Sequence, residues 1–122
     1  MKHTLVTHYD FHAAHDLANV FGPKHKCANL HGHTYDLDVY ITGDLKGTGI
    51  IVDAGTIKAL VRRIVIDKLD HTNLNDHVER WTLDPSAEVI AGWIFTELKA
   101  ALPGTEKVVL WETKSTRVEV TD

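Results

Sequence analysis

The sequence has few of the features that mark secreted, membrane and nucleic-acid-binding proteins. Its single cysteine, Cys27, excludes an intrachain disulfide, which removes any argument for an oxidising compartment and favours the cytoplasm. No apolar run approaches the ~20 residues of a membrane-spanning helix, and residues 1–15 lack the apolar stretch of a signal peptide. The formal net charge of −4 disfavours a nucleic-acid partner, because phosphate backbones bind basic surfaces.

What the sequence does contain is enough apolar residues for one folded domain and a high number of histidines. The 122 residues are 43% hydrophobic and 25% charged, which is typical of a globular domain, and no repeat or linker divides them. We therefore expect a single domain over residues 1–122. The nine histidines suggest a search for a metal site, because imidazole is a common ligand of zinc.

The spacing of the apolar residues predicts four strands and two helices in the order β-β-α-α-β-β. Apolar and polar residues alternate over 5–13 and 35–41, as in strands with one buried face. Apolar stripes at helical spacing run through 53–69 and 85–102, with Asp53 and Asp84 as the expected N-caps. The last two strands are predicted on either side of a tight turn at residues 114–115.

The short connections between neighbouring strands imply antiparallel pairing. The simplest product is an α+β fold, with a four-stranded antiparallel sheet and both helices on one face. Such a sheet has two open edges and one uncovered face, and proteins rarely leave long edges bare. We therefore expect a homo-oligomer in which the sheets of several subunits join edge to edge.

The segment "HGH" at 31–33 places two histidines on one face of the second strand, because residues two apart in a strand point the same way. His15 ends the first strand with the parity of its apolar residues, so strand pairing would bring it beside His31 and His33. Three histidines would give catalytic zinc its three protein ligands and leave one position open. The alternative is that all three are surface or loop residues. The histidines with polar neighbours are expected at the surface: His3, His8, His12 and His77.

Cys27 lies four residues before His31, and three interpretations of its thiol are considered. The first is a small buried hydrophobic residue, and the second is a fourth zinc ligand that closes a structural site. The third is a catalytic thiol whose pKa is lowered by nearby cations, so that the thiolate is favoured. The polar and basic loop "GPKHKC" argues against the first interpretation. The sequence alone does not separate the other two.

Two further positions carry acidic groups with a possible chemical role. Asp70 and His71 follow the apolar stripe of the first predicted helix, and a carboxylate beside an imidazole suits proton transfer, although such a pair in a loop is more often incidental. Glu112 shares one face of an otherwise apolar strand with Val108 and Leu110. It is either solvent-facing or a fixed acceptor for a ligand with two adjacent N–H donors, because a buried carboxylate needs donors.

Six motifs together resemble one family, that of the 6-pyruvoyl-tetrahydropterin and 6-carboxytetrahydropterin synthases. They occur in the family's order and span nearly the whole chain. The resemblance implies the tunnelling fold, in which antiparallel sheets join into a barrel, usually as a homohexamer of two stacked trimers. The motifs are "FHAAH" at 11–15, "HKCANLHGH" at 25–33, "GIIVD" at 49–53, "LDHTNLN" at 69–75, "PSAE" at 85–88 and "WET" at 111–113.

The resemblance also implies a role for each candidate residue. Cys27 would be the catalytic thiol, with Asp70 and His71 as its proton-relay partners. Glu112 would anchor the pterin ring through its 2-amino and N3–H edge. Active sites of the family lie between subunits, so the thiol and the relay pair need not come from one chain. The implied zinc ligands are His15, His31 and His33.

Within the family, the spacing C-x3-H-G-H from Cys27 resembles the bacterial 6-carboxytetrahydropterin synthases of queuosine and 7-deazaguanine biosynthesis. These convert 7,8-dihydroneopterin triphosphate to 6-carboxy-5,6,7,8-tetrahydropterin and release acetaldehyde and triphosphate. The alternatives are a 6-pyruvoyl-tetrahydropterin synthase and a non-catalytic zinc-binding assembly module. Asp16 departs from the arginine that relatives often place after "AAH", and the basic segment 24–26 is a candidate for attracting the triphosphate.

Overall fold

The computed structural model describes the backbone of all 122 residues and every side chain except that of Lys46. Its α-helices and strands are β1 (Thr4–His15), α1 (Ala18–Phe21), β2 (His31–Thr42), α2 (Ala54–Val61), α3 (Asp67–Leu69), β3 (Thr72–Asn73), α4 (Ala87–Ala101), β4 (Thr105–Thr113) and β5 (Thr116–Thr121). Short 3-10 helices cover Lys26–Ala28, Lys46–Thr48 and Leu74–Asp76. None of the helices described has the length and apolar character needed to cross a bilayer.

The strands form one sheet in the order β3-β1-β2-β4-β5. β1 and β2 pair antiparallel along their whole length, from Thr4 opposite Thr42 to His15 opposite His31. β2 with β4 and β4 with β5 are also antiparallel, so the predicted α+β fold and the predicted order of the long strands are confirmed. The prediction of four antiparallel strands missed β3, which pairs parallel with β1 and makes the sheet mixed. Two residues are too few to show the alternation that reveals a strand.

The helices cover one face of the sheet, as predicted, and the core lies between them. Phe11 and Tyr35, from the inner face of β1 and β2, are fully buried and stack with ring centroids 4.9 Å apart. His15 continues the same face at the end of β1 and is also fully buried. Because the core fixes which face of β1 is buried, it also fixes the face on which the side chain of His15 lies. Other fully buried core residues include Leu37, Val39, Val61, Ile90, Ile94, Leu98, Val108 and Leu110.

The helix predicted over 53–69 is divided by a π-helical segment, Arg62–Ile66, between α2 and α3. Asp53 caps α2 as expected, because its carboxylate accepts from the N–H of Gly55 at 3.2 Å and from Oγ1 of Thr56 at 2.8 Å. Those two bonds lower the pKa of Asp53, and the bond from Thr56 has the larger effect.

The predicted cap of α4 was wrong. Ser86, not Asp84, is the N-cap, and its Oγ accepts from the N–H of Val89 at 3.2 Å. Asp84 instead accepts two hydrogen bonds from Asn19, one from its backbone N–H at 2.8 Å and one from Nδ2 at 2.9 Å. Ser and Asp are both favoured at the N-cap, so local preference did not show which of the two residues caps α4. In the structure the carboxylate of Asp84 is engaged by Asn19, and Ser86 is the cap.

The other face of the sheet carries polar side chains. His8, with 59% of its side chain exposed, lies between Asp38, at 2.6 Å from Nδ1, and Asp36, at 3.2 Å from Nε2. The bond to Asp38 is the largest cause of the raised pKa of His8. β5 forms one edge of the sheet, and within the chain described no strand lies beyond it. The joining of sheets into a barrel stays a prediction.

Candidate metal centre and active site

The β1–β2 ladder brings the three predicted zinc ligands together. His15 lies opposite His31, and His33 follows two residues later on the same face of β2. One ring nitrogen from each histidine lies within 4.8 Å of the other two. The ring centroid of His15 is 4.6 Å from that of His31 and 5.1 Å from that of His33. The shared parity of the three residues thus produces a cluster of three nitrogens at one end of the sheet.

Backbone carbonyls orient two of these rings. Nδ1 of His15 donates to the carbonyl of Pro85 at 2.7 Å, and Nδ1 of His31 donates to the carbonyl of Asn29 at 2.7 Å. Since a carbonyl only accepts, each Nδ1 carries the proton and each Nε2 keeps its lone pair. Metal-ligating histidines commonly hold their second nitrogen in this way.

The nitrogens that face the centre of the cluster lack partners. Among the side chains described, Nε2 of His15 and Nε2 of His33 are buried without any hydrogen bond. Burial is the main cause of a lowered pKa at His33; the nearby Glu112 opposes it, and His15 and His31 add to it. Ring nitrogens that converge on one point without hydrogen-bond partners fit a metal cation, because a buried unsatisfied nitrogen is otherwise unfavourable.

The carboxylate of Glu112 lies beside this cluster. Its Oε2 is 3.9 Å from Nε2 of His15, and its Oε1 is 3.8 Å from Nε2 of His33. The side chain is 24% exposed and points to the same side of the sheet as the histidines. The strand parity therefore placed it correctly, whereas its role as an anchor for the pterin ring stays a prediction.

Cys27 lies in the 3-10 helix Lys26–Ala28 and its side chain is half-buried. In the part of the chain described, its thiol does not belong to the group of ligand atoms within 4.8 Å of one another. Its N–H donates to Nδ1 of His25 at 3.0 Å, and its carbonyl accepts from the N–H of Leu17 at 2.8 Å. These two bonds hold the backbone at Cys27, and the position of its thiol outside the cluster disfavours its interpretation as a fourth ligand.

The side chains of Asp70 and His71 are in contact, with Nδ1 of His71 3.0 Å from Oδ2 of Asp70. The N–H of His12 donates to Oδ1 of Asp70 at 2.9 Å and is the main reason for the lowered pKa of that carboxyl. His71 has a φ of 60°, which is uncommon for a residue other than glycine and is often found at functional sites. Its side chain is 77% exposed.

The ring of His71 and the buried ring of His15 lie on different sides of the sheet. The His71 ring contacts the ring of His12, with centroids 5.7 Å apart. His12 alternates with Ala13 and His15 along β1, so its side chain points to the uncovered face. A cavity beside these rings is lined by residues that include His12, Thr34 and His71, and His33 of the cluster also borders it. Within one chain, the exposed His71 ring thus lies beside His12, whereas His15 is buried on the helix-covered side.

Sequence reasoning missed the groups that orient the metal ligands. Pro85 and Asn29 act through backbone carbonyls, which leave no signal in the residue type, although both lie within or next to the recognised motifs. The expectation that His77 is at the surface was also wrong. Its ring is largely buried, with Nε2 3.0 Å from Oγ1 of Thr72 and Nδ1 2.9 Å from Arg80.

Comparisons with known proteins agree on one family. The family model described as 6-pyruvoyl tetrahydropterin synthase matches residues 4–122. A 6-carboxy-5,6,7,8-tetrahydropterin synthase of Synechocystis is 39% identical over 111 residues, which cover 86% of this chain and 82% of the relative. A dihydroneopterin monophosphate aldolase of Pyrococcus furiosus is 33% identical over 123 residues, 98% of either chain.

The fold gives the same result. The solved structure of 6-pyruvoyl tetrahydropterin synthase from Caenorhabditis elegans is similar to this chain with a TM-score of 0.88 and 27% identity. The similarity covers 100% of this chain and 96% of that structure. Family model, relatives and fold therefore agree with the six motifs, and the chain is an enzyme that belongs to the 6-pyruvoyl tetrahydropterin synthase family.

Proposed function

We propose that this enzyme is a zinc-dependent 6-carboxy-5,6,7,8-tetrahydropterin synthase of queuosine and 7-deazaguanine biosynthesis. It would convert 7,8-dihydroneopterin triphosphate and one molecule of water to 6-carboxytetrahydropterin, acetaldehyde and triphosphate. The observation that carries the proposal is the cluster of three histidines, in which Nε2 of His15 and of His33 is buried without a partner, with a cysteine thiol outside the cluster. The name of the Synechocystis relative supports the choice of product.

The donor set fits zinc with an open position. His15, His31 and His33 would hold the ion through Nε2, since the Nδ1 atoms of the first two are already bonded to carbonyls. Bound there, zinc would act as a Lewis acid that makes a side-chain hydroxyl and the adjacent C–H of the substrate more acidic.

The remaining residues would move protons and orient the substrate. Cys27, as thiolate, would take a proton from the substrate side chain. Asp70 stays ionised because the N–H of His12 lowers its pKa, and it would hold Nδ1–H of His71 so that Nε2 exchanges protons with the thiol. Glu112 would accept hydrogen bonds from the two adjacent N–H groups of the pterin ring. The exposed basic segment 24–26 would attract the triphosphate.

We also propose a cytoplasmic homohexamer, a dimer of trimers, with each active site between subunits. The exposed edge strand β5 and the uncovered sheet face support an assembly in which sheets join. The exposed His71 ring beside His12, on the uncovered face, supports a relay that acts on the Cys27 thiol of a neighbouring subunit.

The test of the reaction is an anaerobic incubation of zinc-loaded protein with 7,8-dihydroneopterin triphosphate. Acetaldehyde and the pterin product are measured together, and we expect acetaldehyde and 6-carboxytetrahydropterin to appear in equal amounts. A 6-pyruvoyl product without acetaldehyde would assign the sister activity instead. No turnover of this substrate by protein with zinc bound would contradict both synthase activities and favour the non-catalytic module.

A second candidate is a dihydroneopterin monophosphate aldolase, favoured by the match to the Pyrococcus furiosus enzyme over 98% of both chains. An aldolase cleaves a carbon–carbon bond beside a hydroxyl, so the phosphate would stay on the two-carbon fragment instead of leaving first. Offering the monophosphate in the same assay separates the two. A phosphorylated two-carbon aldehyde, formed faster than acetaldehyde from the triphosphate, would identify the aldolase.

Mixing two inactive variants tests whether the active site lies between subunits. Cys27→Ala and His71→Ala subunits are dissociated, mixed in equal amounts and reassembled. We expect about a quarter of wild-type activity, because random assembly gives that share of the sites an intact thiol from one subunit and an intact His71 from its neighbour. Each variant reassembled alone is the control and should stay inactive. A mixture as inactive as its parents, with mixed oligomers demonstrated by differential tagging, would place thiol and relay in one chain.

A further inference from the structure

Segment 70–75 is bound along the end of β1 by a continuous series of hydrogen bonds. At its start, Asp70 accepts from the N–H of His12 at 2.9 Å, and the N–H of His71 donates to the carbonyl of His12 at 2.6 Å. β3 continues the series by pairing parallel with the next two residues of β1. The segment that carries the relay pair therefore follows β1 toward the metal ligand at its end.

The amide of Asn75 makes the last contacts of this series. Its Oδ1 accepts from the N–H of Asp16 at 2.8 Å, and its Nδ2 donates to the carbonyl of Asp16 at 3.1 Å. β3 itself ends at Asn73. The side-chain amide thus replaces the next peptide group of the strand, because it offers one acceptor and one donor to the same backbone. Asp16 directly follows His15.

Asn75 is held in place from its own side. Its N–H donates to Oδ1 of Asn73 at 3.1 Å, which caps the 3-10 helix Leu74–Asp76. The preceding residue, Leu74, is fully buried, and its carbonyl accepts from Nε1 of Trp81 at 3.0 Å. The amide is therefore presented to Asp16 by a well-anchored turn.

We propose that Asn75 is a positioning residue for the metal centre, which fixes the backbone at His15 so that Nε2 faces the other two ligands. The bond from Nδ1 of His15 to Pro85 restrains the ring, but it does not fix the peptide that leads out of β1. A rotation of that peptide would displace Nε2, and metal affinity depends on such outer contacts. The inference rests on the proposed zinc site.

The test is the affinity of the purified full-length protein for Zn²⁺, measured by competition with a chromophoric chelator. Asn75→Ala is expected to weaken binding about 10–100-fold, the usual effect of losing an outer-shell partner. The absorption spectrum of the Co²⁺-loaded protein should change as the ligand geometry loosens. Thr96→Ala is the control, since it removes a side-chain donor to a backbone carbonyl, that of Gly92 within α4, and should leave both readouts unchanged.

A second variant keeps the test decisive if Asn75→Ala does not fold. Asn75→Asp has the same size and keeps an acceptor for the N–H of Asp16, but it places a carboxylate oxygen against the Asp16 carbonyl, so it should also weaken Zn²⁺ binding. An unchanged Zn²⁺ affinity and Co²⁺ spectrum, with equal destabilisation of the metal-free and metal-loaded forms, would overturn the inference and leave Asn75 a structural role. Failure of the wild type to bind Zn²⁺ would instead overturn the metal site itself.

Discussion

Cys27→Ala is expected to lower kcat for conversion of 7,8-dihydroneopterin triphosphate by about 10²–10⁴-fold, the range typical for loss of a positioned acid–base group. Bound zinc should stay at the wild-type amount, because the thiol lies outside the cluster of ligand atoms. The measurement is turnover at saturating substrate together with the metal content of the same sample by atomic absorption.

The metal content decides what a loss of turnover means. If Cys27→Ala lost its zinc along with its activity, the thiol would be a fourth ligand and the closed-site interpretation would gain support. If the variant kept both zinc and full turnover, another group would take the proton. Alkylation of the zinc-loaded wild type gives an independent check, since a half-buried thiol that is not a ligand should react.

His33→Ala is expected to abolish tight zinc binding, with a loss of affinity of more than about 100-fold, because removing a ligand exceeds the 10–100-fold effect of an outer-shell partner. Wild-type protein should gain about 2.7 kcal/mol in its free energy of unfolding at a zinc concentration 100 times Kd. The variant should gain almost nothing. Denaturant unfolding with and without zinc, in the presence of matched buffers, measures both.

The metal-free state separates the loss of a zinc ligand from a general loss of stability. His33→Ala removes a buried Nε2 that lacks a partner, so the free energy of unfolding without zinc should change little. His8→Ala is the matched control, because His8 lies on the uncovered face between two aspartates and should not affect the zinc response. A wild-type zinc response that survives in His33→Ala would place the metal elsewhere.

Strand parity was the most informative property of the sequence for the candidate site. Because side chains alternate strictly along a strand, the odd positions of β1 and β2 had to share a face, and antiparallel pairing then brought His15, His31 and His33 together. The same argument placed Glu112 on the inner face of β4. These predictions needed only local periodicity and one pairing.

Contacts between distant parts of the chain were not predictable in this way. The bond from His15 to Pro85 joins residues 70 apart in sequence, and the bonds from Asn75 to Asp16 join residues 59 apart. The short strand β3 and the N-cap of α4 were missed because two residues show no periodicity and because Ser86 and Asp84 are both ordinary caps.

The sequence by itself determined the α+β fold, the order of the long strands and the three histidines at one end of the sheet, since these follow from the period of apolar residues. Only the tertiary structure decided which nitrogen of His15 and His31 is free, because backbone carbonyls make that choice. It alone put the His71 ring beside that of His12 on the uncovered face, since the residues of a turn carry no information in sequence about the side of the sheet on which they lie.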